Sequence, residues 1–320
     1  ILMIETIFDT LNAKAAIYAC LDYFEQHNKK LPIIISGTIT DSSGRTLSGQ
    51  TVEAFYASVI HTDPICIGLN CALGAKAMLP HIRKLSEIAE CYVHAYPNAG
   101  LPNTMGEYDQ TPEMMTDILN PFFDENLLNI VGGCCGSTDK HIKCIAEKSK
   151  KYNIMREPAE KNIYTRLSGL EQLKITPDLN FINIGERCNV AGSRKFKRLI
   201  KNKSWSKALE IASDQVDDGA QILDINMDDG MLDSASCMRT FCNLVAGEPN
   251  ICKIPVMIDS SKFEVILEGL KCLQGSCVVN SLSLKEGEEE FIKKAKIIKK
   301  FGASLVVMAF DENGQAATKD

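Results

Sequence analysis

Three cysteines stand at positions from which they could bind one metal ion together. Cys134 and Cys135 are adjacent within a Gly-Gly-Cys-Cys-Gly motif that directly follows an apolar run. Cys71 likewise follows an apolar run, two strand–helix units earlier in the chain. The glycines let the backbone turn sharply, so that both neighbouring thiols can point at one spot. Three thiolates would form a tetrahedral zinc site with one open position, which is what catalysis by zinc requires.

A simpler interpretation of the same cysteines is that they are buried structural thiols. Free cysteine is among the most buried residue types and packs as a small hydrophobic side chain. The chain contains no Cys-x-x-Cys pair, which is the usual mark of a zinc site. Spacing alone therefore leaves both interpretations open.

Short apolar runs rich in β-branched residues alternate with longer amphipathic patterns along the chain. Runs that are apolar on both faces are typical of buried parallel strands. Helix start signals lie between them, as at Thr111, where a capping residue precedes Pro112. The ten predicted strands cover residues 2–5, 32–36, 65–69, 91–95, 128–131, 181–184, 221–226, 255–259, 277–280 and 304–309.

The position of the polar residues favours barrels over a doubly wound sheet. Strand–helix alternation of this kind predicts a parallel sheet. In most repeats the residues capable of chemistry come just after the strand, which is where (β/α)8 barrels build their active sites. No Gly-x-Gly-x-x-Gly motif follows a strand, so nothing indicates dinucleotide binding. We therefore predict two TIM-type (β/α)8 barrels.

The alternation breaks between about Tyr152 and Asn180, a stretch that contains two prolines and no convincing strand. We place a linker at residues 156–178, between a first domain at 1–155 and a second at 179–320. Five strands on each side cannot close an eight-stranded barrel. We expect the end of one barrel and the beginning of another, each incomplete, and the start within a strand pattern suggests a fragment.

Composition narrows the classes of function. The chain has 320 residues, 45% hydrophobic and 24% charged, as in soluble globular proteins. A net charge of -6 argues against nucleic acid as a partner, and the one basic run, residues 194–203, is explained by a solvated helix face. No apolar run is long enough to cross a membrane. The thirteen cysteines without a signal peptide predict a reducing, cytoplasmic location.

The first half resembles a known family. Its cysteine motifs look like the paired motifs of the zinc-dependent homocysteine methyltransferases, and two further segments resemble the methionine synthase branch. The resemblance implies that Cys71, Cys134 and Cys135 hold zinc, and that Asn98 supplies a fourth ligand until homocysteine displaces it. It also implies that Glu5 receives the ammonium group of homocysteine. The matching segments are residues 36–49, 68–74, 96–102 and 132–136.

The second half resembles the pterin-binding barrel of the same branch, which is related in fold to dihydropteroate synthase. A carboxylate can accept two neighbouring N–H groups of a pterin, and an amide matches a mixed edge. The resemblance implies pterin contacts by Asp259 and Asn280, then by Asn189 and Asp224, with Glu186 orienting its loop. A helix cap is the simpler role for any single aspartate. The matching segments are residues 183–193, 224–228, 258–261 and 279–281.

Together the two resemblances indicate a cobalamin-dependent methionine synthase, with Cys188 as in the animal form. The implied reaction moves a methyl group from 5-methyltetrahydrofolate, through cob(I)alamin and methylcobalamin, to homocysteine. No Asp-x-His-x-x-Gly motif is present, so cobalamin would be bound by a domain outside this chain, alongside a reactivation domain. We expect the fragment alone to be inactive. The alternatives are a truncated zinc-binding product and a cobalamin-independent homocysteine S-methyltransferase.

Overall fold

The computed structural model describes residues 1–40, 43–71, 74–152 and 155–318. They form two compact units, Ile1–Ile163 and Tyr164–Asp320. Among the described residues no helix is both long and apolar enough to span a bilayer.

The first unit is built on a parallel sheet of five strands. The strands stand side by side in the order in which they occur in the chain. They are β1 (Leu2–Ile7), β2 (Ile33–Gly37), β3 (Cys66–Asn70), β4 (Tyr92–Tyr96) and β5 (Ile130–Val131).

Helices connect these strands and bury their apolar faces against the sheet. Thr111 caps the helix that begins at Pro112 by accepting a hydrogen bond from the Met114 N–H, as its sequence predicts. Thr138 caps the helix that begins at Asp139 and forms a capping box with His141. The helices are α1 (Thr10–His27), α2 (Val52–Val59), α3 (Gly74–Ile88), α4 (Pro112–Ile118), α5 (Asn120–Asp124) and α6 (Asp139–Ser149).

A small hairpin opens the second unit, in a stretch where we expected no strand. Its strands β6 (Arg166–Ser168) and β7 (Gln172–Lys174) pair antiparallel. Each strand has only three residues, too few to produce a hydrophobic pattern that the sequence could reveal. Leu167 nevertheless lies in a small apolar cluster with Ile222 and Met257, so the hairpin belongs to the packing of this unit.

The second unit repeats the architecture of the first. Its main sheet again has five parallel strands in chain order, and a short antiparallel pair follows. The strands are β8 (Ile184–Asn189), β9 (Ile222–Asn226), β10 (Val256–Asp259), β11 (Val278–Leu282), β12 (Ser304–Val307), β13 (Phe310–Asp311) and β14 (Gly314–Gln315). The helices are α7 (Arg194–Lys201), α8 (Trp205–Asp217), α9 (Ser234–Ala246), α10 (Pro249–Cys252), α11 (Phe263–Leu270) and α12 (Glu288–Lys300).

The consecutive strand order identifies both units as barrel-type folds. A doubly wound sheet reverses its order at a switch point, whereas a barrel adds each strand beside the previous one. The predicted α/β class with two parallel-sheet domains is therefore confirmed. Within the described residues, neither sheet pairs its first strand with its last, so each is an open sheet.

The strand β8 lies later in the chain than the sequence suggested. The apolar residues Phe181 and Ile182 indicated a strand at 181–184, but β8 begins at Ile184 and runs through Glu186 to Asn189. β8 is an edge strand and only one of its six residues is buried, so it lacks the apolar pattern of its neighbours. Glu186 consequently lies within β8 and not just after the strand as the sequence suggested, while its role in orienting the loop stays a prediction.

Candidate functional sites

The thiol cluster, formed by Cys71, Cys134 and Cys135, brings three sulfur atoms within 4.8 Å of one another. The Cys71 and Cys135 Sγ atoms are 3.5 Å apart, and those of Cys134 and Cys135 are 4.0 Å apart. None of the three cysteines forms a disulfide bond. Zinc–sulfur bonds of about 2.3 Å in a tetrahedron require sulfur atoms about 3.8 Å apart. These two separations are close to that value, so the thiol cluster is suited to a zinc ion.

The ends of three parallel strands place these thiols. Cys71 follows β3, and its N–H donates to the Tyr96 carbonyl at the end of β4 over 3.0 Å. In the loop after β5, the Cys134 N–H donates to the Pro97 carbonyl over 2.8 Å. Backbone hydrogen bonds thus hold both loops against the segment that follows β4, at the carboxyl edge of the sheet.

One member of the thiol cluster has a strained backbone conformation. Cys71 has a φ of 65°, in the left-handed region that residues with a Cβ seldom adopt. Such strain persists only where the surrounding contacts over-determine it, and it is common at functional sites. Gly136 has a φ of +77°, and a Cβ there would lie 2.4 Å from Tyr108 Cβ. The last glycine of the motif is therefore required both by conformation and by the close approach of Tyr108.

The electrostatic setting opposes negative charge in the absence of a cation. Burial, followed by the neighbouring Cys71, raises the pKa of the Cys134 thiol to about 11. The pKa of Tyr108 is raised by burial and then by its interaction with Cys135. A bound cation would supply the positive charge that three adjacent thiolates need.

Two further residues implied by the resemblance lie at the same edge of the sheet. Asn98 is buried, and its Oδ1 accepts a hydrogen bond from the Cys135 N–H over 3.0 Å. Glu5 is exposed on β1, beside Thr6, whose N–H donates to the Asn70 Oδ1 over 3.2 Å. The strand that carries Glu5 is thereby attached to the end of β3, next to Cys71.

A polar row crosses the carboxyl ends of four strands in the second unit. Strand register aligns Asn189 with Asn226, Asn226 with Asp259, and Asp259 with Asn280. Residues aligned across a sheet share one face, and the Asn226 Nδ2 donates to the Asp259 Oδ2 over 3.0 Å. The polar row, defined as Asn189, Asn226, Asp259 and Asn280, therefore presents amide and carboxylate groups side by side.

The role of Asn226 was missed in the sequence, although a signal for it exists. It stands two residues after Asp224 in a predicted strand, so the two side chains must point to the same face. Asp224 lies deeper in the domain than the polar row, two residues before Asn226 on β9, and is 3% exposed. Its Oδ1 has no hydrogen-bond partner. Burial, followed by the charges of Asp259 and Glu186, raises the pKa of Asp224 to about 7.

The loops around the polar row are held by side-chain hydrogen bonds. Asp228 accepts from the Ser260 hydroxyl over 2.6 Å and from the Ser261 N–H over 2.7 Å. The Asn189 Oδ1 accepts from the Gly192 N–H over 2.6 Å, which orders the loop after β8. A cavity of about 420 Å³ is lined in part by Ser260 and Ser281, which directly follow Asp259 and Asn280 of the polar row.

Comparison with known families agrees with this division into two units. Each unit is a barrel-type α/β domain with its candidate site at the carboxyl ends of the strands. Residues 1–149 match the family model described as homocysteine S-methyltransferase. Residues 185–320 match the one described as pterin binding enzyme. The chain thus joins a homocysteine S-methyltransferase domain to a pterin-binding domain.

Proposed function

We propose that this chain belongs to a cobalamin-dependent methionine synthase. In the reaction, homocysteine gains the methyl group of 5-methyltetrahydrofolate and becomes methionine, while the folate becomes tetrahydrofolate. The homocysteine thiol gives up a proton and the pterin N5 takes one up, so the exchange balances. Cobalamin, bound by a domain outside this chain, would carry the methyl group between the two sites.

The observation that carries the proposal is the thiol cluster within a homocysteine S-methyltransferase domain. Zinc bound by Cys71, Cys134 and Cys135 would deprotonate the substrate thiol and keep it nucleophilic. Asn98 would complete the coordination in the absence of substrate. Glu5 would then orient homocysteine by accepting its ammonium group, which is an interaction that an exposed carboxylate can make.

The second domain would hold the methyl donor. A pterin edge presents neighbouring N–H donors beside a carbonyl, and Asp259 and Asn280 offer a matching carboxylate and amide. Asn189 and Asp224 would add contacts from the neighbouring strands, and Glu186 would contribute from β8. Asn226 would keep the Asp259 carboxylate in place through their 3.0 Å hydrogen bond.

Separate binding measurements on the two domains test this function. Isothermal titration should show that the zinc-loaded chain binds homocysteine with release of a proton, and that Cys135→Ser loses this response. Equilibrium dialysis should show binding of 5-methyltetrahydrofolate that Asp259→Ala weakens. Binding of homocysteine without binding of the folate would favour a homocysteine S-methyltransferase that uses another donor. Failure to bind either substrate would contradict the proposal.

A further inference from the structure

A series of side-chain hydrogen bonds connects the interior of the first domain to the thiol cluster. The sequence indicated no role for its members. The His94 Nδ1 lies 3.3 Å from the Cys66 Sγ, and its Nε2 lies 3.0 Å from the Ser36 Oγ. The Ser36 hydroxyl is 2.7 Å from the Asn70 Oδ1. The Asn70 Nδ2 faces the Cys134 Sγ at 3.9 Å. Cys66, His94, Ser36 and Asn70 are all buried.

The donor and the acceptor of each hydrogen bond in this series can be assigned by starting from Thr6. The Thr6 backbone N–H can only donate, and it donates to the Asn70 Oδ1. The other side of the amide, Nδ2, must therefore be the group that faces Cys134 and the Thr6 hydroxyl. With Oδ1 as an acceptor, the Ser36 hydroxyl has to donate to it.

The remaining two bonds follow from the first two. Since the Ser36 proton points at Asn70, the Ser36 oxygen accepts from His94 Nε2–H. His94 is neutral, because burial lowers its pKa to about 3. Its Nδ1 is then the unprotonated nitrogen and accepts the Cys66 S–H. Burial raises the Cys66 pKa to about 12, which keeps that proton on sulfur.

The fold makes room for this arrangement at a single glycine. A Cβ on Gly68 would lie 2.5 Å from the His94 ring and 2.1 Å from its carbonyl oxygen. The ring also stacks on Tyr96, with 4.4 Å between the ring centres. Gly68 and Tyr96 together hold the imidazole in the plane in which both of its nitrogen atoms meet their partners.

We propose that Cys66, His94, Ser36 and Asn70 form a hydrogen-bond relay that positions an N–H donor on the Cys134 sulfur and so adjusts that thiolate as a zinc ligand. This inference rests on the proposed function of the thiol cluster. An N–H donor withdraws charge from a thiolate and stabilises it in the deprotonated form that a metal requires. Asn70 also bonds Thr6, so the same residue fixes the end of the strand that carries Glu5. All four members of the relay are positioning residues.

The test uses cobalt(II) in place of zinc, because thiolate-to-cobalt charge transfer can be seen in the absorption spectrum. Asn70→Asp keeps the shape of the side chain and removes the N–H donor. We expect the charge-transfer band to move to longer wavelength, and the affinity for zinc in chelator competition to fall about 10- to 100-fold. Asn70→Asp protein with the wild-type band and affinity would overturn the relay.

A matched pair of substitutions separates the relay from packing. His94→Leu fills the same space without a donor and should shift the band in the same direction as Asn70→Asp, by a smaller amount. His94→Gln can still donate to Ser36 and should restore the wild-type band. Equal shifts in the two His94 variants would contradict the relay. Ser36→Ala tests the same step with the loss of one hydroxyl if a His94 variant does not fold.

The outcomes also separate the relay from the proposed function. A wild-type protein that shows no thiolate–cobalt band would overturn the metal site, and the relay with it. If the wild-type band is normal and none of the Asn70, His94 and Ser36 variants shifts it, the relay alone is overturned.

Discussion

The Sγ atoms of Cys71 and Cys135 lie 3.5 Å apart although 64 residues separate them in the chain. Consecutive parallel strands produce this proximity, because β3, β4 and β5 are neighbours and their carboxyl ends meet at one edge. The two loops are joined to the segment after β4 by backbone hydrogen bonds, so the separation is built into the fold. Two thiols this close, beside a third, constitute a preformed set of soft ligands.

The first prediction is that the purified chain binds about one zinc ion through the thiol cluster. Replacing Cys134 and Cys135 with serine removes two of three thiolate ligands, so zinc content should fall close to zero. Elemental analysis under reducing conditions measures it. Cys20→Ser, at a partly exposed position on α1, is the matched control and should keep its zinc. Full zinc retention in the double variant would refute the site.

The second prediction separates the two domains. Asp259→Ala should weaken 5-methyltetrahydrofolate binding by about 1.5–3 kcal/mol, the loss expected for a charge-assisted hydrogen bond. Zinc content and homocysteine binding should not change, because Asp259 lies in the other unit. Equilibrium dialysis and elemental analysis provide the two readouts. Asp218→Ala, at an exposed helix end, should leave both unaltered. Equal damage to homocysteine binding would show that Asp259 is structural.

Much of the fold could be predicted because buried parallel strands carry a strong signal. Nine of the ten predicted strands overlap the observed ones closely. Gly219 and Gly302 follow their helices with φ of +97° and +71°, the left-handed conformation that glycine commonly adopts after a helix end. The meeting of Cys71 with the Cys134–Cys135 pair also follows from the sequence. Each lies just after a strand, and consecutive strands of a barrel are neighbours.

The remaining features depend on tertiary contacts that local patterns do not encode. His94 lies in an apolar strand, and nothing in the sequence distinguishes it from a histidine with a purely structural role. The His94 ring fits there because its partner on the adjacent strand, Gly68, has no side chain. Asn226 could have been found by counting two residues from Asp224. Its contact with Asp259 requires the strand register, which the sequence does not specify.

The third prediction concerns a buried guanidinium in the first unit. Arg156 is 3% exposed and donates to the carbonyls of Ser86, Ala89 and Cys91 at the end of α3. Arg156→Met would remove the guanidinium hydrogen bonds to these carbonyls and should destabilise the unit by about 2–4 kcal/mol. Hydrogen exchange of α3 peptides measures the loss. A change below 1 kcal/mol would contradict the role assigned to Arg156.

Arg83 provides the matched control for that substitution. It forms an exposed ion pair with Glu125, with the two side chains 47% and 39% exposed. Surface pairs of this kind contribute about 0–1 kcal/mol. Arg83→Met should therefore leave hydrogen exchange in α3 nearly unchanged, which separates the effect of a buried guanidinium from that of losing any arginine.

The last prediction concerns the pH dependence of the second unit. The pKa of Asp224 is raised to about 7 by burial and by the nearby Asp259 and Glu186, compared with about 3.9 in an unfolded chain. Between these two values the folded state binds more protons than the unfolded state, so stability should fall as pH rises from about 4 to 7. Asp224→Asn cannot ionise and removes this loss. The variant should gain stability over the wild type, and this gain should be larger at pH 8 than at pH 5 by on the order of 2 kcal/mol.

Trp205 is the only tryptophan of the chain and packs against the core of this unit, so urea unfolding followed by its fluorescence reports on this unit. Asp218→Asn, an exposed substitution of the same kind, should show the same difference from the wild type at both pH values. If Asp224→Asn also differs from the wild type equally at pH 5 and pH 8, then Asp224 is ionised in the folded protein throughout this range, and the shift in its pKa is refuted.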